Sequence, residues 1–294
     1  SGTDAGTYYM GLTKGSFVNK NTNFSKVTFV VTDGKLEIAK RKVILTSESD
    51  SKQYDGMPLT NTNVTVGGED GFLGGHGADC NVTGSQTEVG GTDKNNVFTY
   101  TLTGGASEKN YEIETEYGTL TVTDRAADDL YAIEVIGKSG TATYDGTEHS
   151  VSGITDESTT YTNDKGAKFA ITATAETKGT DADDYVNEVS NVKVTDSNGN
   201  DVTNQFKIAT KPGTLTINPK AVTIKAGSAT KKYDGSALTA DQANPKFTTE
   251  GFEGTDGISD CVVEGSQTLV GSSDSEVKSW TFSERTNGNN YAVN

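Results

Sequence analysis

Hydrophobic side chains along this chain alternate singly with polar ones instead of recurring every three or four residues. Phe98-Thr99-Tyr100-Thr101-Leu102 shows the pattern most clearly, and such period-two alternation predicts a half-buried β-strand. Val27-Thr28-Phe29-Val30-Val31 is β-branched and aromatic throughout, a composition suited to a pleated surface. The dipeptides Asp33-Gly34, Asp145-Gly146 and Asn198-Gly199 stand between such runs and are favoured in tight hairpin turns. No capped amphipathic stretch of helical length occurs. Asp241-Gln242-Ala243-Asn244 predicts at most one turn, which Pro245 stops. The pattern predicts an all-β protein.

The strands recur in blocks. Tyr-Asp-Gly occurs at Tyr54-Asp55-Gly56, Tyr144-Asp145-Gly146 and Tyr233-Asp234-Gly235, a period of about 90 residues. A β-rich run precedes each: Lys42-Val43-Ile44-Leu45, Ile133-Glu134-Val135-Ile136 and Val222-Thr223-Ile224-Lys225. Gly118-Thr119-Leu120-Thr121-Val122 and Gly213-Thr214-Leu215-Thr216-Ile217 close the first two blocks, and Asn110-Tyr111 matches Asn290-Tyr291. The first and third blocks share Gly-Ser-Gln-Thr followed by Val-Gly. The second has Thr-Ala-Glu-Thr instead, and shares Gly-Thr-Asp-Ala (179–182) with residues 2–5. Asp33-Gly34-Lys35-Leu36-Glu37-Ile38 resembles a closing strand.

Four segments follow. Residues 1–40 read as the C-terminal part of a type-two repeat, 41–123 as a type-one repeat, 124–219 as a type-two repeat, and 220–294 as a type-one repeat lacking its last strand. Blocks of this size with many short strands suit a tandem array of small immunoglobulin-like or related β-sandwich repeats. The apolar face of segment 1–40 is expected to pack against the next repeat or a neighbouring molecule. The short joint Asn218-Pro219-Lys220 predicts an elongated, stiff rod.

The Tyr-Asp-Gly tripeptide, the glycine-rich middle and the Gly-Thr-Leu-Thr-Val ending together resemble the bacterial surface repeats called YDG and MBG ("mostly beta, glycine-rich") domains, over nearly the whole chain. The resemblance implies an extracellular stalk or adhesion region of an adhesin-like protein on a bacterial cell surface, with no catalytic site to transfer. Such regions are sometimes linked to mucus or host proteins, and the alternative to a stalk is a binding protein whose ligand is a host glycan, mucin or host protein such as immunoglobulin.

Composition narrows the function further. Hydrophobic residues make up 32% of the chain, with 34 Gly against 4 Pro; several small cores suit this better than one large one. The net charge of −16 argues against nucleic acid and anionic membranes as partners. No apolar run approaches the roughly 20 residues a membrane helix needs.

Candidate chemistry is sparse. In each Tyr-Asp-Gly the glycine is expected to supply an unusual backbone angle, the aspartate to bond nearby amides, and the tyrosine to pack at a sandwich end. Tyrosines serving as ligand platforms are the alternative. Cys80 and Cys261 occupy matching places in separate repeats and are expected to be buried free thiols. Trp280 aligns with Tyr100 and is expected to face the core with Phe282; an exposed sugar platform is the alternative. Asp196, Asn198, Asn200 and Asp201 place oxygen ligands around Gly199, a weak calcium candidate without the acidic residue that ends a full EF-hand loop. A hairpin turn explains them equally. His76 and His149 lie in different repeats and are expected to be solvated. No serine or cysteine nucleophile has a histidine nearby, and no cofactor is implied. The leading expectation is a non-catalytic spacer. The alternative is a host-ligand-binding module, with the polar loop 156–168 as its best candidate surface.

Overall fold

Alternation does govern the chain. The computed structural model describes residues 1–294, and its regular elements are twenty-six strands and five short 3-10 turns. The protein is all-β, and no helix is long and apolar enough to cross a membrane. It divides into two compact units, Ser1–Asp129 and Leu130–Asn294. The four expected segments therefore fall in pairs: 1–40 with 41–123, and 124–219 with 220–294.

In segment 41–123 the run before Tyr-Asp-Gly forms the strand Arg41–Ser47. It pairs in parallel with Tyr111–Glu116, Arg41 opposite Tyr111 and Thr46 opposite Glu116, and antiparallel with Val64–Gly67 on its other edge. Both parallel strands then bend and pair again: Asp50–Gln53 runs parallel to Leu120–Thr123. Gly77–Val82 and Phe98–Thr103 form a second, antiparallel ladder. Alternate side chains of the two sheets meet in a core of Val43, Leu45, Phe98 and Tyr111, flanked by Val64, Ala78, Tyr100 and Ile113.

Segment 124–219 repeats the parallel pairing. Tyr131–Ile136 pairs with Phe206–Lys211, and after a bend Gly140–Thr143 pairs with Gly213–Asn218. Asp184–Asn187 takes the other edge of Gly213–Asn218. In segment 220–294, Lys220–Ala226 pairs in parallel with Tyr291–Val293 over three residues and antiparallel with Phe247–Glu250. Pro219 alone separates Gly213–Asn218 from Lys220–Ala226, so this joint is as short as expected.

The bends have a shared cause. Asn96 is fully buried. Its Nδ2 donates to the carbonyls of Glu48 (2.8 Å), in the bend itself, and of Asn61 (3.0 Å), in the loop before Val64–Gly67. The Ser47 hydroxyl donates to Asn96 O at 2.6 Å and accepts from the Gly118 amide at 3.0 Å. In the next segment Asn187, also fully buried, donates to Lys138 O at 2.9 Å. The glycine that opens each closing strand lies against this crossing. A Cβ on Gly118 would sit 2.4 Å from Glu48 C, and one on Gly213 would sit 2.1 Å from Lys138 O. Close backbone approach, not an unusual φ, requires glycine there.

Segment 1–40 departs from expectation. Its one ladder is Gly6–Tyr9 with Lys35–Ile38. Val27–Val31 is not a strand, and Val30 is 90% exposed. A run of strand-forming residues needs a partner edge to satisfy its backbone, and Val27–Val31 pairs with none. Its apolar face is not covered either: Tyr9, Phe24 and Leu36 stay exposed. What joins it to 41–123 is polar. The single turn expected at 241–244 appears as Ala240–Gln242.

Candidate functional site

The arrangement most specific to this chain lies where segments meet. Two motifs that recur separately in the sequence prove to be partners. The Ala5 amide donates to Asn110 Oδ1 at 2.7 Å, and Asn110 Nδ2 donates to Asp4 Oδ1 at 2.9 Å. In the second unit the Ala182 amide donates to Asn290 Oδ1 at 2.7 Å, and Asn290 Nδ2 donates to Asp181 Oδ1 at 2.8 Å. Each Gly-Thr-Asp-Ala thus grips the asparagine of the following Asn-Tyr by both ends of its amide. A tyrosine braces each motif: Tyr8 donates to Asp4 O at 2.8 Å and Tyr185 to Asp181 O at 3.2 Å. The leading glycines face those rings, since a Cβ on Gly2 would lie 1.9 Å from Tyr8 and one on Gly179 would lie 2.2 Å from Tyr185. The Asn110 hydrogen bond, helped by the Lys109 ammonium at 2.6 Å, holds the Asp4 carboxyl below the usual carboxylate range.

The second joint is also packed. Tyr144, Leu215 and Ile217 from one segment form a single apolar cluster with Val222 and Tyr291 from the next. Tyr144 and Tyr291 meet edge to face at 5.4 Å. Asp256 accepts from both hydroxyls, at 2.6 Å from Tyr291 and 3.4 Å from Tyr144. Burial and this carboxylate push the Tyr291 phenol up. The Lys220 ammonium pairs with Glu253 beside it.

The Tyr-Asp-Gly turns have the expected local geometry. The glycines adopt φ of +74°, +76° and +79° at Gly56, Gly146 and Gly235, a region L side chains disfavour. Asp55, Asp145 and Asp234 each accept a backbone amide two residues on, from Met57, Thr147 and Ser236, at 2.9 Å. Those bonds keep Asp145 low and bring Asp234 to about 2, with the Thr147 hydroxyl and the Ser236 amide as the largest causes. The tyrosines differ. Tyr54 and Tyr144 are buried, but Tyr233 is 65% exposed, against the expectation that all three pack. The strand that covers Tyr54 from the 120–123 side has no counterpart against Tyr233.

The remaining candidates resolve individually. Asp196 turns inward: Oδ1 accepts the Asn198 and Asn200 amides at 2.9 Å, and Oδ2 accepts Asn200 Nδ2 at 3.1 Å. Asp201 accepts the Thr203 amide and hydroxyl. These carboxylates hold a turn, and no group of three acidic, histidine or cysteine side chains has metal-binding geometry. Cys80 and Cys261 are free thiols, Cys80 half-buried and Cys261 buried, and desolvation raises both. Trp280 is 41% exposed, contrary to the expected core position. Its ladder slips twice, at Ile258/Asp260 and at Val262/Val263. The matching ladder Gly77–Val82 with Phe98–Thr103 runs without a slip, and a slip changes which side chains share a face.

Neither histidine is simply solvated. His76 Nδ1 lies 2.7 Å from the Tyr111 hydroxyl, and His149 Nε2 lies 3.0 Å from Asp145 Oδ1. Loop 156–168 is largely structural. It contains a 3-10 turn at Asp156–Thr159 and the strand Thr160–Thr162, and Ser158, Asn163 and Ala167 are buried.

The chain matches no protein-family model, and neither a curated protein nor a solved structure matches it.

Proposed function

We propose that this chain is a non-catalytic, tension-bearing spacer: a tandem array of small immunoglobulin-like or related β-sandwich repeats in an extracellular, adhesin-like bacterial surface protein. One observation carries the reading. In the repeats 41–123 and 124–219 the first and last strands are parallel neighbours. Pulling such a repeat by its ends drags these strands lengthwise past each other. Every hydrogen bond of both ladders is then loaded at once, whereas an antiparallel terminal pair opens one bond at a time. The amide clasps at Asn110 and Asn290 support the reading too, since they tie one repeat to the next. The recurring turns and closing strands support the likeness to YDG and MBG repeats. Mechanical unfolding of single molecules of the intact chain tests the proposal: high unfolding forces for these two repeats are expected, and low forces throughout would overturn it.

A second reading, a host-glycan-binding module, rests on the exposure of Trp280. An exposed indole is a ready stacking surface for a sugar. Titration of the intact chain with mucin glycans, read by quenching of this sole tryptophan, tests it. A saturable change lost in Trp280→Ala supports binding, and an unchanged spectrum removes it.

A further inference from the structure

Two tyrosines meet where 124–219 joins 220–294. Tyr144 belongs to a Tyr-Asp-Gly turn, and Tyr291 opens the strand Tyr291–Val293. Their rings stand edge to face, with centroids 5.4 Å apart and planes at 82°. Both are buried, and Phe252 packs on Tyr291 at 4.7 Å. Both hydroxyls donate to one atom, Asp256 Oδ2, at 3.4 Å from Tyr144 and 2.6 Å from Tyr291. Hydroxyls that converge on one oxygen bring together the ring carbons beside them.

The acceptor is a built part of the repeat. The Tyr291 oxygen receives the Glu253 amide at 3.2 Å, three residues before Asp256. In 41–123 the matching Tyr111 oxygen receives the Leu73 amide at 3.1 Å, three residues before His76, whose Nδ1 lies 2.7 Å away. Each loop thus sets a basic side chain within proton-transfer reach of a buried phenol. A phenol yields an electron readily only when its proton leaves with it, and Asp256 stands where that proton goes. Asp256 is half-buried, so it can pass protons on to water.

We propose that Tyr144 and Tyr291 form a site of oxidative modification, where a one-electron oxidant driven by hydrogen peroxide couples them into a dityrosine that staples 124–219 to 220–294. Each phenol loses one electron and its hydroxyl proton, the proton by way of Asp256. The radicals carry spin on the carbons beside the hydroxyls and join there through a new Cε–Cε bond. The hydrogen on each of these carbons then moves to the oxygen, which restores both hydroxyls and both aromatic rings. In net the pair loses two electrons and two protons. One hydrogen peroxide takes them up and becomes two waters. Burial keeps other molecules from the radicals until they couple. The inference rests on the geometry of the joint and is independent of the tether role.

Photo-oxidation of the dilute intact chain tests it, with tris-bipyridyl ruthenium as the one-electron oxidant and persulfate in place of peroxide. A monomer lighter by two hydrogen atoms, with dityrosine fluorescence, is expected. Its tryptic digest should contain 139–165, which carries Tyr144, joined to 286–294, which carries Tyr291. Tyr144→Phe keeps the ring and gives up only the longer hydrogen bond, and it should abolish this product. Asp256→Asn keeps the shape without the base and should lower the yield several-fold; an unchanged yield would overturn the proton route. The molecule's other close tyrosine pair, Tyr131 and Tyr161 at 5.6 Å, would instead join 126–138 to 139–165. Coupling confined to that pair, or only between molecules, would overturn the proposal, as would a product that survives Tyr144→Phe. So would the absence of any product in a chain whose exposed Tyr233 is oxidised.

Discussion

Asn290 donates to the Asp181 carboxylate, more than a hundred residues earlier in the chain, at 2.8 Å, while its own Oδ1 accepts the Ala182 amide. With 1% exposure, it has no access to water as a substitute partner. Truncation leaves a buried amide and a carboxylate short of a bond, which costs about 1–3 kcal/mol. Asn290→Ala is therefore expected to uncouple 124–219 from 220–294. Calorimetry of the intact chain should show the second unit's transition broadening or splitting, with 220–294 melting first. An unchanged single transition would show that the apolar cluster alone couples them.

The corresponding clasp in the first unit carries a pH dependence. The Asp4 carboxyl is held below its ordinary value of 3.8 by Asn110 and Lys109. A carboxylate depressed in the folded state stabilises fully above its unfolded value, and this contribution is lost as pH falls through the folded value. The clasp between 1–40 and 41–123 should hold above pH 3.8 and loosen below it. Amide hydrogen exchange at Ala5 across this range reports the loosening, and Asp4→Asn should flatten the response. In the same titration Asp234 should ionise at about 2.

The three Tyr-Asp-Gly tyrosines should respond unequally to truncation. Tyr54 is fully buried, and Tyr54→Ala leaves a large cavity costing about 3–5 kcal/mol. Tyr233 is 65% exposed, and Tyr233→Ala in dilute monomeric protein should change stability by no more than about 0.5 kcal/mol. Urea denaturation of the two variants separates a fold requirement from a binding role. A large loss from Tyr233→Ala would mean that the turn is enclosed in solution.

The thiols should be inert in the native state. Desolvation raises both Cys80 and Cys261, and the thiolate is the reactive form. Alkylation at pH 8 should be slow for both, slowest for the buried Cys261, and fast for both in denaturant. Thiols that appear only after reduction would contradict the free state of both cysteines.

Much of the fold is legible in the sequence because period-two alternation and turn residues act locally. The runs at 42–45, 133–136 and 222–225 became the strands Arg41–Ser47, Tyr131–Ile136 and Lys220–Ala226. What could not be read depends on long-range pairing. Alternation is the same whether a half-buried strand pairs in parallel or antiparallel, so the terminal ladders were invisible. Gly-Thr-Asp-Ala and Asn-Tyr were both recognisable as repeats, but their partnership spans more than a hundred residues. Asn96 and Asn187 look like turn residues, and nothing in their neighbourhood marks them as buried at a strand bend. Val27–Val31 and Trp280 went against local preference because long-range pairing decides their environments: the first finds no partner strand, and the second sits on a slipped ladder.

Mechanical unfolding of the intact chain tests the spacer account most directly, because the chain contains its own control. Repeats 41–123 and 124–219 each close with two successive parallel ladders, while 220–294 has one of only three residues. The repeats differ in length, and each releases about 3.3–3.6 Å of chain per residue, so their rupture events can be told apart. Two high-force events from the first two repeats and one low-force event from the third are predicted. Uniformly low forces, or the highest force from 220–294, would contradict the account.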